Sequence, residues 1–189
     1  MKADWKNFLI DAGAEFDGDS VSHFGNPARE VKAALGGTVY ANLGFMGVIA
    51  AYGADAGSFL QSQLSNDVTA VDESGSQLSA FCTPMGRILG LMRIFRAGDT
   101  WYLRLPLDSL DAVLARLRMY VLRADVTLED ATENFLRMGI SGDQAGKRLQ
   151  DAGMPAPETV DGVAVADGST IIRVPGTRPR YELYLTSLE

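Results

Sequence analysis

Two turns hold most of the polar residues in this sequence that could do chemistry. Asn66 and Asp67 follow a short helical stretch, and Thr83, Pro84, Gly86 and Arg87 join two apolar strands. An amide beside a carboxylate can pair with a ligand edge that both donates and accepts. A planar guanidinium such as that of Arg87 can grip a carboxylate through two parallel bonds. The same residues also suit plain turns, where Asn, Asp and Gly are common for conformational reasons. Covalent and metal chemistry find little support. Cys82 is the one cysteine and His23 the one histidine. That leaves no disulfide, no cysteine cage and no histidine-rich zinc site within the chain. Cys82 reads as a small buried strand residue, and His23 falls in a polar loop.

The elements that must position these turns follow from composition and periodicity. The chain has 189 residues, 47% hydrophobic and 22% charged, with a net charge of −7. It is globular in composition and long enough to bury a core without staples. The negative charge argues against a sequence-independent nucleic-acid surface, which needs clustered Lys and Arg. The N-terminal stretch is amphipathic and acidic, unlike a secretory leader. No window is apolar enough to span a membrane. A cytoplasmic location is the expectation.

Residues 1–16 predict a helix from the spacing of Trp5, Phe8, Leu9 and Ala12. Residues 17–37 read as a loop with one helical turn near Ala28–Leu35. Thr38–Leu43 and Phe45–Tyr52 read as strands, and Asp55 suits the N-cap of a helix over Ala56–Leu64. Strands follow at Gln77–Thr83, Arg87–Arg96 and Thr100–Leu105. Trp101, Leu103 and Leu105 alternate there with Tyr102 and Arg104, so one face is buried and the other more polar. After Pro106 and Asp108, Leu110, Val113, Leu114 and Leu117 trace the apolar stripe of the best helix. Val121–Glu129 reads as a further strand.

The pattern then restarts. Phe135–Ser141 is a strand, and GDQAGKRLQ at 142–150 repeats GADAGSFLQ at 53–61 in its Gly, Ala, Gly, Leu and Gln positions. Both segments follow an apolar strand, which suggests an internal duplication. Val160–Ala166 and Thr170–Val174 read as a hairpin, and Tyr181–Leu185 as a last strand. The expected division is a first unit over 1–130 and a second over 131–189. The second lacks the helix that closes the first at 108–119, as if the chain were cut inside a larger protein. Leu188-Glu189 could be a cloning remnant.

Three blocks carry a family resemblance: FLQSQLSNDV, QLSAFCTPMGRILGLMRIFR and LARLRMYVLRADVTLED. In this order and spacing they resemble the folate-binding YgfZ family, related to the aminomethyltransferase (T-protein) of the glycine cleavage system. The resemblance runs over about Leu43–Leu185. It implies an α+β fold of two ferredoxin-like subdomains with mostly antiparallel sheets, the second incomplete here. It also implies a tetrahydrofolate pocket. Proteins like YgfZ support assembly or repair of iron–sulfur enzymes, and some are linked to tRNA modification. The partners implied are a folate and iron–sulfur client proteins, with no membrane and no direct nucleic-acid contact.

The resemblance also selects residues. A folate pocket should be mostly apolar with a few fixed polar groups. Asn66 and Asp67 match the family's Asn-Asp, and Arg87 its Gly-Arg turn. Glu182 in RYELYL resembles the T-protein segment whose glutamate lies near the pterin. Tyr102, on the polar face of its strand, could stack on a ring or cover the sheet. Arg118 and Arg123 flank the end of the best helix, where dipole pairing and solvation are the alternative. The methionines Met85, Met92, Met119 and Met138 suit core or pocket lining.

Two departures limit the carry-over. The family's Lys-Gly-Cys-Tyr-x-Gly-Gln-Glu motif is nowhere in this chain, and Cys82 sits in a different context. Where T-proteins place an acidic pair, this chain has Gly90 and Leu91. One-carbon transfer needs a carboxylate near the reacting nitrogen. The expectation is therefore a non-catalytic, tetrahydrofolate-binding accessory protein. A folate-dependent one-carbon transferase and an interaction scaffold with a degenerate pocket are the alternatives.

Overall fold

The computed structural model describes residues 2–18 and 20–187. The reading of Leu188-Glu189 as a cloning remnant lies outside them. The described residues fall into two units, one from 45 to 132 and one from 1–44 together with 133–189. The chain is α+β throughout, and every strand pair is antiparallel.

In chain order, α1 (Ala3–Asp11) leads into a small hairpin of β1 (Glu15–Asp17) and β2 (Ser20–His23). The helix was expected to reach residue 16. It stops at Asp11, and Gly13 at φ +89° turns the chain into the hairpin. His23 lies on that hairpin within 3.6 Å of Glu15. The expected single helical turn is three turns long, α2 (Pro27–Gly36). Asn26 caps it by accepting from the Arg29 N–H, with Pro27 preorganised in the first turn. No residue of α2 is buried.

β3 (Val39–Asn42) and β4 (Met46–Tyr52) are adjacent in sequence but belong to different sheets. β4 leads into α3 (Ala56–Gln63), then β5 (Ser76–Cys82), β6 (Ile88–Ala97), β7 (Thr100–Pro106), α4 (Leu107–Arg118) and β8 (Thr127–Asp130). Together these elements form a five-stranded sheet, β5-β6-β7-β4-β8. Leu110, Val113, Leu114 and Leu117 of α4 and Phe59 and Leu60 of α3 pack on its Ile49, Met92, Ile94, Leu103 and Leu105. Fully burying each such side chain contributes roughly 1.5–3 kcal/mol. The strand expected over Val121–Glu129 is confined to β8. Asp55 does not cap α3 with its side chain; its carboxylate accepts instead from the Asp125 N–H at 2.8 Å.

The second sheet is built from β9 (Leu136–Ser141), followed by α5 (Ala145–Asp151), β10 (Val163–Ala166), β11 (Ser169–Arg173) and β12 (Arg180–Leu185). Its order is β10-β11-β12-β9-β3. α5 covers Ile140, Ile171, Tyr181 and Leu183, while Trp5 and Leu9 of α1 pack on Leu136. The hairpin turn at Asp167 and Gly168, both at positive φ, joins β10 to β11 as its sequence suggests.

The expected division put residues 1–44 with the first unit. In the structure they group with 133–189, because Val39–Asn42 pairs with Met138–Ser141. The two sheets have one plan. β4 corresponds to β9, β5-β6-β7 to β10-β11-β12, and β3 takes the edge position that β8 holds in the other sheet. The repeated glycines carry the same geometry. Gly53 (φ +114°) and Gly142 (φ +133°) each bring their α-carbon so close to backbone that a Cβ would lie 2.3 Å and 2.5 Å from a carbonyl oxygen. Gly57 and Gly146 each pass an aromatic ring, Trp101 and Tyr181 respectively.

Candidate functional site

In the unit spanning 45–132, the residues selected from sequence take up different places. Asn66 donates from its side chain to the Leu78 carbonyl at 2.8 Å, and its own N–H reaches the Ser79 hydroxyl. Asp67 accepts from the Thr69 N–H and hydroxyl, capping a short 3-10 turn at Val68–Ala70. The Asn66 side chain holds the chain that leaves α3 against β5, and the Asp67 side chain fixes the turn that follows. Arg118 donates from Nε and Nη2 to the Leu128 carbonyl at 3.1 and 2.7 Å, tying the end of α4 to β8. These three side chains do local structural work.

Arg87 differs. It lies exposed at the tip of the β5–β6 connection, where the Thr83 N–H donates to the Arg87 carbonyl and the Arg87 N–H to the Thr83 hydroxyl. Gly86, at φ +77°, makes that turn. Tyr102 sits half-buried on the face of the sheet away from α3 and α4, its ring stacked on Phe95 at 5.4 Å. Burial holds its phenol above the ordinary value of 10.0, so it is a hydroxyl donor at neutral pH. Arg123 is exposed beyond α4.

The positions of the T-protein acidic pair are now concrete. Gly90 is buried on the helix side of β6, and a Cβ there would meet Val113 at 2.9 Å. Leu91 points to the opposite side and is exposed. Position 90 has no room for a carboxylate in this packing.

In the other unit, Glu182 lies on β12 between Gly139 of β9 and Ile172 of β11, and is 6% exposed. Two-residue alternation puts Tyr184 on the same face. Its hydroxyl donates to Glu182 Oε2 at 2.9 Å, fixing the carboxylate. Gly139 has no side chain to fill the space beside Glu182. The result is a notch of about 60 Å³ bordered by Val39, Ala41, Leu43 and Arg180. Glu182 is thus a buried, oriented carboxylate at the edge of a small hollow.

Sequence reading passed over two buried cations. Arg93 on β6 donates to the Ser76 hydroxyl at 2.8 Å, and Arg137 on β9 donates to the Phe135 carbonyl at 3.0 Å. Both are almost fully buried. The signal was present: each is a charge set between apolar residues of a strand, Arg93 between Met92 and Ile94 and Arg137 between Leu136 and Met138. Among the described residues no cluster of His, Cys, Asp and Glu could hold a metal ion, and no helix is long and apolar enough to cross a membrane.

No family model matches the chain. It is 26% identical over 149 residues to the "tRNA-modifying protein YgfZ" of Colwellia psychrerythraea, covering 79% of this chain and 46% of that protein. It is 32% identical over 139 residues to the protein of the same name in Hamiltonella defensa, covering 72% of this chain and 40% of that protein. The chain therefore spans less than half the length of these curated relatives. Among solved structures, the glycine cleavage aminomethyltransferase T of Bartonella henselae matches 95% of this chain and 52% of its own, with TM-score 0.81 and 21% identity. Heterotetrameric sarcosine oxidase from Corynebacterium matches at TM-score 0.55 and 11% identity. These likenesses show that the chain shares the fold of the matched part of those structures. Over the portion it shares with these relatives, the chain belongs to the YgfZ family.

Proposed function

We propose that this chain is the folate-binding portion of an accessory protein that maintains iron–sulfur enzymes, with a link to tRNA modification, and that it is not itself a one-carbon transferase. The relatives' name, "tRNA-modifying protein", supports the last link. The observation that carries the folate reading is Glu182. It is a carboxylate oriented by the Tyr184 hydroxyl at the edge of a hollow. Such a carboxylate can accept two parallel N–H bonds from the amino-pyrimidine edge of a pterin. Arg87 and Tyr102 belong to the unit spanning 45–132 and are candidates there, each by itself, for an anionic group and a ring face. Asn66, Asp67 and Arg118 bond to neighbouring groups of the chain, so the reading gives them no ligand contact.

The non-catalytic half of the proposal rests on positions 90 and 91. A transferase acting on an aminomethyl donor needs an acid near the reacting nitrogen to hold developing charge. Glycine packed against Val113 and an exposed leucine supply none.

Calorimetric titration with 5-formyltetrahydrofolate tests the ligand. Saturable binding of roughly micromolar affinity, about −8 kcal/mol, is expected. Glu182→Gln should weaken it by about tenfold, roughly 1.4 kcal/mol. A flat titration of the folded chain overturns the folate assignment for these residues. Binding that survives both Glu182→Ala and Arg87→Ala would put the ligand elsewhere. Tetrahydrofolate-dependent turnover of an aminomethyl donor would replace the accessory reading with the transferase one.

A further inference from the structure

β3 stands at one edge of its sheet, with β9 on one side and, among the described residues, no strand on the other. The Leu43 N–H donates to the Arg137 carbonyl, and Ala41 and Val39 follow in register opposite Gly139 and Ser141. In an antiparallel pair the bonding side alternates along the strand, so the N–H and C=O groups of Tyr40 and Asn42 point away from β9. Such an edge is usually blunted by charge or proline. β8, the edge strand in the matching place of the other sheet, carries the exposed Glu129 and Asp130. β3 reads Val-Tyr-Ala-Asn, without a charge, and its Tyr40 and Ala41 are exposed. Apolar surface continues beside it. α1 lies at the Asn42 end, where the Trp5 Nε1–H donates to Asn42 Oδ1 at 3.3 Å. α2 runs into the Val39 end through Gly37 and Thr38. Between the two helices is a groove of about 760 Å³ that touches all four residues of β3. Successive strand side chains face opposite ways, so a groove touching all four reaches the open edge. Phe8, Ile10, Phe24, Val31, Leu35 and Tyr40 are large apolar side chains left exposed around it, and no residue of α2 is buried.

We propose that this face binds a second copy of the chain, joined by antiparallel pairing of the two β3 strands. Three observations select that partner. The edge is self-complementary: about a two-fold axis at Ala41, each Tyr40 exchanges both backbone bonds with the partner's Asn42. The flanking helices are complementary as well. Antiparallel pairing sets the Asn42 end of one strand beside the Val39 end of the other, which brings α1 of each copy towards α2 of its partner. α1 carries Asp4 and Asp11 against Lys6, and α2 carries Arg29 and Lys32 against Glu30. Glu30 is already engaged, since its Oε1 accepts from the Phe24 and Asn26 N–H groups. The facing helices thus have opposite net charge, and Phe8 and Ile10 of one come to Val31 and Leu35 of the other. The area is also sufficient. The six exposed side chains offer roughly 600 Å² per copy, against the ~800 Å² that each partner contributes to a standard interface, and the strand edge and charged flanks add to it. An apolar patch of this size marks an interaction site. The inference goes beyond the folate reading and does not rest on it.

Sedimentation velocity of the 189-residue chain, without ligand, tests this. The mass should double between roughly 1 and 100 µM, the weak end of the range for interfaces of this size. Amide hydrogen exchange locates the contact. At the dimeric concentration the Tyr40 and Asn42 amides should exchange about tenfold more slowly than at the monomeric one, while β10, the opposite edge of that sheet, is unchanged. Leu35→Lys alters a side chain that is 79% exposed, so the variant should fold. It should weaken association by about tenfold. Tyr40→Pro removes an N–H that points away from β9, a substitution an edge strand tolerates, and should abolish the dimer. Should Tyr40→Pro fail to fold, Leu35→Lys decides. A chain still monomeric at the higher concentration overturns the proposal. So does a dimer that Leu35→Lys leaves unchanged, or one whose protection falls on β10 instead of β3.

Discussion

Gly53 and Gly142 occupy matching positions in the repeat, and both combine positive φ with backbone approach too close for a side chain. An alanine at either position must adopt an unfavourable left-handed backbone and displace a carbonyl or neighbouring backbone as well. Gly153 also has positive φ, +74°, but nothing lies within 4 Å of its would-be Cβ. Gly53→Ala and Gly142→Ala should therefore each cost more than about 3 kcal/mol, while Gly153→Ala costs about 1 kcal/mol. Urea midpoints of the three variants check this, and equal losses would remove the steric argument. Gly90→Asp would place atoms against Val113 and bury a carboxylate. It should destabilise by at least about 1–3 kcal/mol and confer no transferase activity.

A second residue-scale prediction concerns pH. Arg178 donates from Nε and Nη2 to both carboxylate oxygens of Asp143 and from Nη1 to the Gly37 carbonyl. It thereby joins the start of α5 to the entry of β3. The Arg178 hydrogen bonds hold the Asp143 carboxyl below its ordinary value of 3.8. A depressed folded-state pKa contributes stability that is fully present above the unfolded value and is lost as pH falls through the folded one. The melting temperature should thus fall on acidification below about pH 4 in part through this pair. Asp143→Asn should be less stable at pH 6 and should flatten that limb. A limb of unchanged slope would assign the acid sensitivity to other carboxylates.

At the scale of elements, α4 is the helix whose periodicity was plainest and whose role is clearest. Leu117 is fully buried on the sheet of β4–β8. Leu117→Ala should cost about 2–5 kcal/mol through lost transfer energy and a cavity. Arg118→Ala, which releases only the Leu128 carbonyl at an exposed end, should cost about 0.5–1.5 kcal/mol. Chemical denaturation of both variants ranks the two contacts. Elements like α4 were legible because four apolar residues at helical spacing name both the helix and its buried face. β1 and β2 were not. With three and four residues and only Phe16 and Val21 as partly buried apolar positions, they carry no period to read. The role of Asp55 was misread for a different reason. Capping type predicts a local bond, whereas its carboxylate is used by Asp125, far along the chain.

The same contrast operates at the scale of the whole molecule. The duplication was visible as five matching residues in nine, and the structure shows what they hold in common: two tight glycine turns and two glycines under aromatic rings. Which strand completes each sheet was not visible, because edge strands β3 and β8 lie on opposite sides of the repeat in sequence, one before it and one after. Nor could sequence separate Asn66 and Asp67, bonded to neighbouring backbone, from Glu182, since amide and carboxylate types look alike until their partners are placed. The placement of the edge strands has a consequence for autonomy. Residues 45–132 are contiguous and contain a whole five-stranded sheet, both covering helices and their own core. A span of about 90 residues with such a core can fold unaided. Residues 133–189 lack β3 and α1, so their sheet would lose its edge strand and Leu136 its cover. Expressed alone, 45–132 should unfold cooperatively in urea with dispersed amide resonances. The 133–189 piece should show neither until residues 1–44 are added. Cooperative folding of 133–189 by itself would mean that β3 is an accessory to that sheet and that the repeat is complete without its eighth-strand equivalent.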